Sequence, residues 1–472
     1  MMVSARVLSM QELATYRQSL LIFQVATPFI GLGIGSALLY FLPVNIEKQK
    51  TILIESLIVC TLSGTLFASF INLGGGGIIA NAFDNQQLLG TMLSISLLMV
   101  CSAPNIVINS FLVVLNKAGT LSIYQVSSNL VVGIGVVLSC IYYKDPFSMV
   151  EIRVFLLVLS AFAAMMIMFH FVKGLKGNIS YKGCAELVSY GLPLSMSMCV
   201  GMLSLQLDKL IVSTKTSPEQ FVIYSNGAME IPLIGVITSS ICLVMIVPFR
   251  KAFNDSNFED CIGIYHKVAE KISFILLPVM VYFALLSTPF IIFMYSVKYI
   301  DSVFPFLLYL LIIPARSLLQ GAMAAVGKGK VLLRNSIISL ALNTMLTLIL
   351  VERYGYLGAI ISTIIVIYLW DVSISLKEVS SSLKIKYSEL YPFKKILKIF
   401  ICASFASIPF FVVEFTFQDV NSMLKLIVGA TVYFPSYVIV GMKFNLFSEE
   451  IKSFIIEKSS DIKSKIGRNG AS

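Results

Sequence analysis

Asp208, Lys209, Glu230, Arg316 and Asp371 carry ionisable groups inside long apolar stretches of this 472-residue sequence. Holding a charge at the centre of a bilayer costs about 2.5 kcal/mol or more, so each is a candidate for chemistry. Arg316 sits roughly 20 Å into its stretch at 1.5 Å of rise per residue, too deep for its side chain to reach the interface easily. Pro314, two residues earlier, removes a backbone donor and loosens the helix there. A guanidinium stays charged and forks onto paired phosphate or carboxylate oxygens, which suits an anionic substrate in a wetted cavity. The competing account is a structural ion pair with Glu230 or Asp371. Glu230, roughly 12 Å into its own stretch and close to Pro232, is either a protonatable coupling site or that ion-pair partner.

Asp208 and Lys209 are neighbours, and neighbours on a helix point about 100° apart. They therefore do not neutralise one another along one face. Either at least one faces a water-filled cavity, or Lys209 snorkels to the interface while Asp208 makes a local contact. The substrate-binding candidates are thus Arg316, Lys209 and Asp208, and the coupling or ion-pair candidates are Glu230 and Asp371. Asp371 stands beside the single tryptophan, Trp370, near one end of its stretch, where an interfacial anchor is the competing role. Glu55 and His170 read as interfacial. The run Gly74–Gly77 lacks the Lys-Ser/Thr of a phosphate loop and reads as a bend in a helix. No Ser/His/Asp set, paired carboxylates or Cys/His cluster is apparent, and the chain has only two histidines. No enzymatic activity, cofactor or metal site is expected. The eight cysteines show no metal-like spacing and read as small buried apolar residues.

The elements that position these groups follow from hydropathy. Mean hydropathy is +0.89 and only 13% of residues are charged. Apolar stretches of about 20 residues recur from Leu20 to Met442, and each can cross a bilayer core as a helix. The pattern predicts an all-α polytopic membrane bundle of about thirteen transmembrane helices. These are Leu20–Leu42, Ile52–Ile71, Leu88–Leu115, Leu121–Tyr143, Val154–Val172, Tyr190–Val212, Val222–Pro248, Ile272–Met294, Val303–Val326, Val331–Val351, Tyr354–Leu376, Ile396–Val413 and Met423–Met442. Helices are required because lipid offers no partner to an unpaired backbone.

The net charge of +10 is spread over many short loops, which argues against a nucleic-acid partner. One set of alternate loops holds 25 Lys and Arg and the other holds 8, so the richer set, with the C-terminus, is assigned to the cytoplasm. The tail after Phe444 interleaves apolar and basic residues, as in a helix lying on that membrane surface. Gln11–Tyr16 and Glu219–Tyr224 are similar openings, each leading into a span with an internal proline. That echo suggests two related, pseudo-symmetric lobes, placed at 1–175 and 186–380, followed by a final helix pair and tail at 390–472. The later copy is preceded by a span and the earlier one by ten residues, so a first helix is expected to be missing from the sequence as read.

Leu207–Gly227, LDKLIVSTKTSPEQFVIYSNG, joins an Asp-Lys at a helix end to a short Ser-Pro-Glu loop and a tyrosine. With GLGIGSALLYFLP (Gly31–Pro43) and FLVVLNKAGTLSIYQ (Phe111–Gln125), it resembles the polysaccharide transporter, O-antigen flippase-like branch of the multidrug/oligosaccharidyl-lipid/polysaccharide exporter superfamily. The resemblance implies fourteen helices in two six-helix lobes plus a final pair, with this sequence opening at the second. It further implies a flippase that moves undecaprenyl-diphosphate-linked oligosaccharide across the bacterial inner membrane by alternating access. Its partners would be the lipid-linked substrate, membrane lipids, a coupling ion (H⁺ or Na⁺) and other polysaccharide assembly proteins. Lys209 and Arg316 become candidates for a cationic cavity, and Asp208 matches the motif directly. The alternatives are a cation-coupled multidrug antiporter of the same superfamily and, from another class, a membrane-embedded polysaccharide polymerase. The second would need a large outer loop, and none between spans exceeds roughly fifteen residues.

Overall fold

The computed structural model describes the chain except residues 1, 173–178, 232–233, 316–322, 324–325, 327–328, 410–420, 446, 448, 450 and 454–472. The described residues are overwhelmingly helical, with no strand among them. Among the described residues ten helical stretches are long and apolar enough to cross a membrane, and each overlaps one of the thirteen expected spans. Of the other three, Tyr190–Val212 lies within a 35-residue helix, Val222–Pro248 is interrupted, and Ile396–Val413 runs into undescribed residues.

The chain divides into two compact units. Residues 1–225 and 340–359 form the first, and 226–339 with 360–472 form the second. The first unit contains α1 (Met2–Val7), α2 (Met10–Gly31), α3 (Ile34–Val44), α4 (Gln49–Phe70), α5 (Gly76–Ala82), α6 (Leu89–Cys101), α7 (Ala103–Val114), α8 (Ala118–Tyr143), α9 (Pro146–Phe171), α10 (Tyr181–Lys215) and all but the last two residues of α11 (Pro218–Gly227). The second holds α12 (Ile234–Asn254), α13 (Phe258–Leu285), α14 (Ser287–Met294) and α15 (Val303–Leu310). α16 (Gly329–Tyr354) and α17 (Tyr356–Val366) are each divided between the units. α18 (Ser373–Leu383), α19 (Phe393–Phe405) and α20 (Ser422–Lys443) complete the second.

Local signals explain the helix ends. Ser9 and Glu12 form a reciprocal capping box, the Ser9 hydroxyl accepting from Glu12 N–H at 3.2 Å and the Glu12 carboxylate from Ser9 N–H at 2.8 Å. The first membrane helix therefore starts at Met10, ten residues before the expected Leu20, and Leu13–Ile22 are buried. Asp145 caps α9 through Ser148 N–H, with Pro146 supplying a pre-set φ at the start. Ser180 caps α10 through Lys182 N–H.

Close helix crossings rely on small residues. A Cβ on Gly64 of α4 would lie 2.2 Å from the Met99 carbonyl oxygen of α6, so the two backbones meet where only hydrogen fits. Where the first span breaks, Leu32 and Gly33 adopt left-handed φ of 43° and 71°. Gly191 of α10 passes over the carbonyls exposed there, its would-be Cβ 2.8 Å from Gly33 O. Gly74, at φ 118°, makes the bend expected of the glycine run, inside a π-helical turn at Ile71–Gly75.

Each unit has its own core. In the first, Ile34, Leu38, Leu42, Leu53, Val107 and Phe111 pack with residues of α9 and α10. In the second, tyrosine hydroxyls find backbone acceptors among aromatic rings. Tyr282 donates to Leu426 O at 2.6 Å, Tyr433 to Ala403 O at 3.0 Å and Tyr437 to Phe274 O at 3.2 Å, tying α20 to α13 and α19. Gly64→Val should force α4 from α6 at a cost of about 1–3 kcal/mol. The expected result is a lower thermal unfolding midpoint in detergent and less protein in the membrane, read by fluorescence-detected size exclusion.

Candidate functional site

Asp208 and Lys209 lie near the C-terminal end of α10, in the first unit. Asn343 and Thr347, one helical turn apart on α16, present the same face to Asp208. Asn343 Nδ2 donates to Asp208 Oδ1 at 3.1 Å, and Thr347 Oγ1 to the same oxygen at 3.3 Å. Thr347 is fully buried, and its single hydroxyl hydrogen has Asn343 Oδ1, also at 3.3 Å, as an alternative acceptor. A carboxylate anchored by two neutral donors has its charge dispersed without being cancelled. Lys209 is partly buried, and the charges of both Arg17 and Asp208 act on it.

Arg17 was not among the expected site residues. Only 8% exposed, it sits two turns into α2 with Nη1 directed at Val222 O, 3.5 Å away. The next residue, Gln18, centres a buried amide network. Its Nε2 donates to Ser213 Oγ of α10 at 2.8 Å, and its Oε1 accepts from Asn85 Nδ2 at 2.7 Å. Asn85 also donates to Thr15 Oγ1, Thr15 donates to Gln87, and Ser19 pairs with Thr91 at 2.7 Å. These bonds join α2, the connection before α6, and the far end of α10. In a low-dielectric interior such a network holds firmly while every member is satisfied, and opening it exposes several polar groups at once. The sequence signal for Arg17 is the Ser9-to-Glu12 capping box, which starts the helix early enough to carry Arg17 inside.

Glu230 and Asp371 belong to the second unit and stand on different elements. Residues 228–231 are not helical, so Glu230 occupies a gap between α11 and α12, where it is exposed. Asp371 lies in a π-helical turn, Ile367–Val372, continuous with α17 and α18. Its Oδ2 accepts from Ser339 Oγ at 3.0 Å. The wider turn carries Trp370 beside it, and π turns recur at functional sites because the extra residue re-aims side chains. Arg316, with the ion-pair alternatives that involve it, falls outside the described residues. Asp208 and Lys209 thus lie near Arg17 in the first unit, and Glu230 and Asp371 stand on two different elements of the second. Among the described residues no three His, Cys, Asp or Glu side chains converge as a metal site would require. Glu55 is buried, and His170 is exposed at the end of α9.

Comparison with known proteins bears on this arrangement. The family of polysaccharide biosynthesis proteins matches residues 3–304, which include both the opening segment and the Asp208-Lys209 loop motif. Among solved structures, the chain is similar to the lipid II flippase MurJ in an inward closed conformation. The TM-score is 0.69 at 19% identity, over 94% of this chain and 96% of that one. It is also similar to an inward-facing multidrug resistance transporter of the MATE family of the MOP superfamily, with a TM-score of 0.62 at 12% identity over 81% of this chain and 94% of that one. No curated protein matches the sequence. At these identities the likeness is one of fold. The chain is a multi-pass helical membrane protein belonging to the polysaccharide biosynthesis protein family, and it has the fold shared by MurJ and the MATE transporters.

Proposed function

We propose that the protein is a flippase moving undecaprenyl-diphosphate-linked oligosaccharide, an O-antigen or similar surface repeat unit, across the bacterial inner membrane by alternating access. The observation that carries this reading is the coincidence of family and fold. A polysaccharide biosynthesis family takes the fold of a protein that flips a lipid-linked precursor. Charge placement supports it. Arg17 and Lys209 set two cations near one carboxylate, Asp208, a grouping that suits an anion such as diphosphate or acidic sugar. Asp208, anchored by Asn343 and Thr347, makes that pair tolerable in a poorly hydrated site. Arg316, from its depth in the sequence, is a further candidate for holding an anionic substrate. The C-terminus is cytoplasmic on the loop-charge asymmetry, which puts the Gln18 network at the periplasmic end of the first unit.

Glu230 and Asp371 are assigned to coupling. A carboxylate in a helix gap and another in a π turn are places where a proton or Na⁺ can bind without dismantling a regular helix. A cation-coupled drug antiporter is the second reading, favoured by the MATE-like fold and by these same acids.

Deleting the gene should strand lipid-linked repeat units on the cytoplasmic leaflet and abolish surface glycan. Unchanged surface glycan would overturn the flippase reading, and increased drug sensitivity instead would support the antiporter. In the deletion strain, Lys209→Ala and Arg316→Ala should each restore export roughly ten-fold or more less well than wild type at equal membrane levels, the loss of one charged hydrogen bond. Export at wild-type rates would remove that residue from the site. In proteoliposomes, Glu230→Gln or Asp371→Asn should make flux insensitive to an imposed H⁺ or Na⁺ gradient. Full gradient dependence in both variants would place coupling elsewhere.

A further inference from the structure

A cavity of about 720 Å³ opens in the first unit at the end of α10 remote from Lys209. It lies between the α3–α4 connection and the first turns of α10, and nothing in the flippase reading uses it. Its size falls within the roughly 300–1,000 Å³ typical of small-molecule sites. One wall is apolar, formed by Phe41, Ile52 and Leu187. The other is polar. Asn45, Thr51 and Glu55 belong to it, and Lys48, Lys182 and Glu186 stand at the exposed rim.

Glu55 is the unusual member. It is 3% exposed, and its Oε1 accepts from Ser180 N–H at 2.9 Å. The carboxylate lies flat on Gly183, where a Cβ would stand 2.4 Å from both oxygens. A buried carboxylate accepts hydrogen bonds and donates none, so the lone pairs not taken by Ser180 call for donors. The rim supplies no salt bridge to spend them on. Among the described residues Lys48, Lys182 and Glu186 make no ion pair. Two lysines and two glutamates give the lining no net formal charge.

We propose that this cavity is a subsite for an uncharged sugar ring, whose C–H face rests on Phe41 and whose hydroxyls donate to Glu55 and Asn45 and exchange hydrogen bonds with Thr51. A pyranose has that two-sided character, and among the described residues no side-chain hydroxyl donates to Glu55. The proposal rests on the flippase reading for the source of the sugar, namely the head group of the lipid-linked substrate. On that reading the cavity faces the cytoplasm, where the substrate is loaded.

The test uses the full chain in nanodiscs and ligand-detected saturation-transfer NMR, with chitobiose and maltotriose as neutral probes, digalacturonate as the acidic one and glycerophosphoethanolamine as a lipid head-group mimic. Neutral sugars should receive saturation, and digalacturonate should receive little. Glu55→Gln should weaken neutral-sugar binding about ten-fold, the loss of one hydrogen bond to a charged group. Thr51→Val, on a side chain with no role in helix capping, should weaken it in the same direction. Glu186→Lys should shift preference towards digalacturonate. Equal binding of acidic and neutral probes, no saturation of either sugar, or saturation of glycerophosphoethanolamine alone would overturn the proposal. So would wild-type sugar binding in both Glu55→Gln and Thr51→Val. Surface glycan in the complemented deletion strain is scored separately. Glycan present with no sugar binding defeats the subsite and spares the flippase, whereas glycan unaffected by the deletion defeats the flippase alone.

Discussion

In hydrocarbon every backbone N–H and C=O must be satisfied within the protein, because an unpaired group costs several kcal/mol. That demand makes the chain a set of helices, and it makes each departure from helix informative. Leu32–Gly33, Ile71–Gly75, residues 228–231 and Ile367–Val372 all interrupt the regular ladder. The Leu32 and Gly33 carbonyls are approached by the small Gly191 of α10, so a neighbouring helix closes over polar backbone that lipid could not serve. At Ile367–Val372 the widened turn lets Asp371 reach Ser339. At Leu32–Gly33 packing shelters the irregular backbone, and at Ile367–Val372 an acidic side chain uses it.

The same scarcity of water governs the buried polar side chains. Gln18, Asn85, Thr15 and Ser213 use most of their donors and acceptors on one another, which is how amide groups become affordable in an apolar bundle. Arg17 and Lys209 are less comfortably placed. Their repulsion is moderated by Asp208, itself held by Asn343 and Thr347.

α10 is the element on which both ends of this arrangement depend. Its 35 residues carry Ser180 and Gly183 against Glu55 at one end, and Asp208, Lys209 and Ser213 at the other. The capped first turn and the glycine beneath the carboxylate hold one end to α4. The amide network and the Asp208 contacts hold the far end to α2 and α16. A single long helix is thus anchored by polar contacts at both ends and by a backbone crossing between them.

Hydropathy alone determined the fold class, because a run of about 20 apolar residues has few uses other than crossing a bilayer. The Asp208-Lys209 loop motif was likewise readable, and the family match covers it. The bend at Gly74 was legible from glycine content. Three features were decided only by the tertiary structure. Arg17 looked like a loop residue because its flanks are polar, although the capping box before it begins a buried helix. Glu55 looked interfacial because depth along a helix says nothing about which neighbour covers the side chain. Glu230 looked helical because a hydropathy window averages over a break of four residues. Sequence records how much apolar surface a segment offers, whereas pairing between segments distant in the chain fixes which polar groups meet, and that pairing is a property of packing in three dimensions.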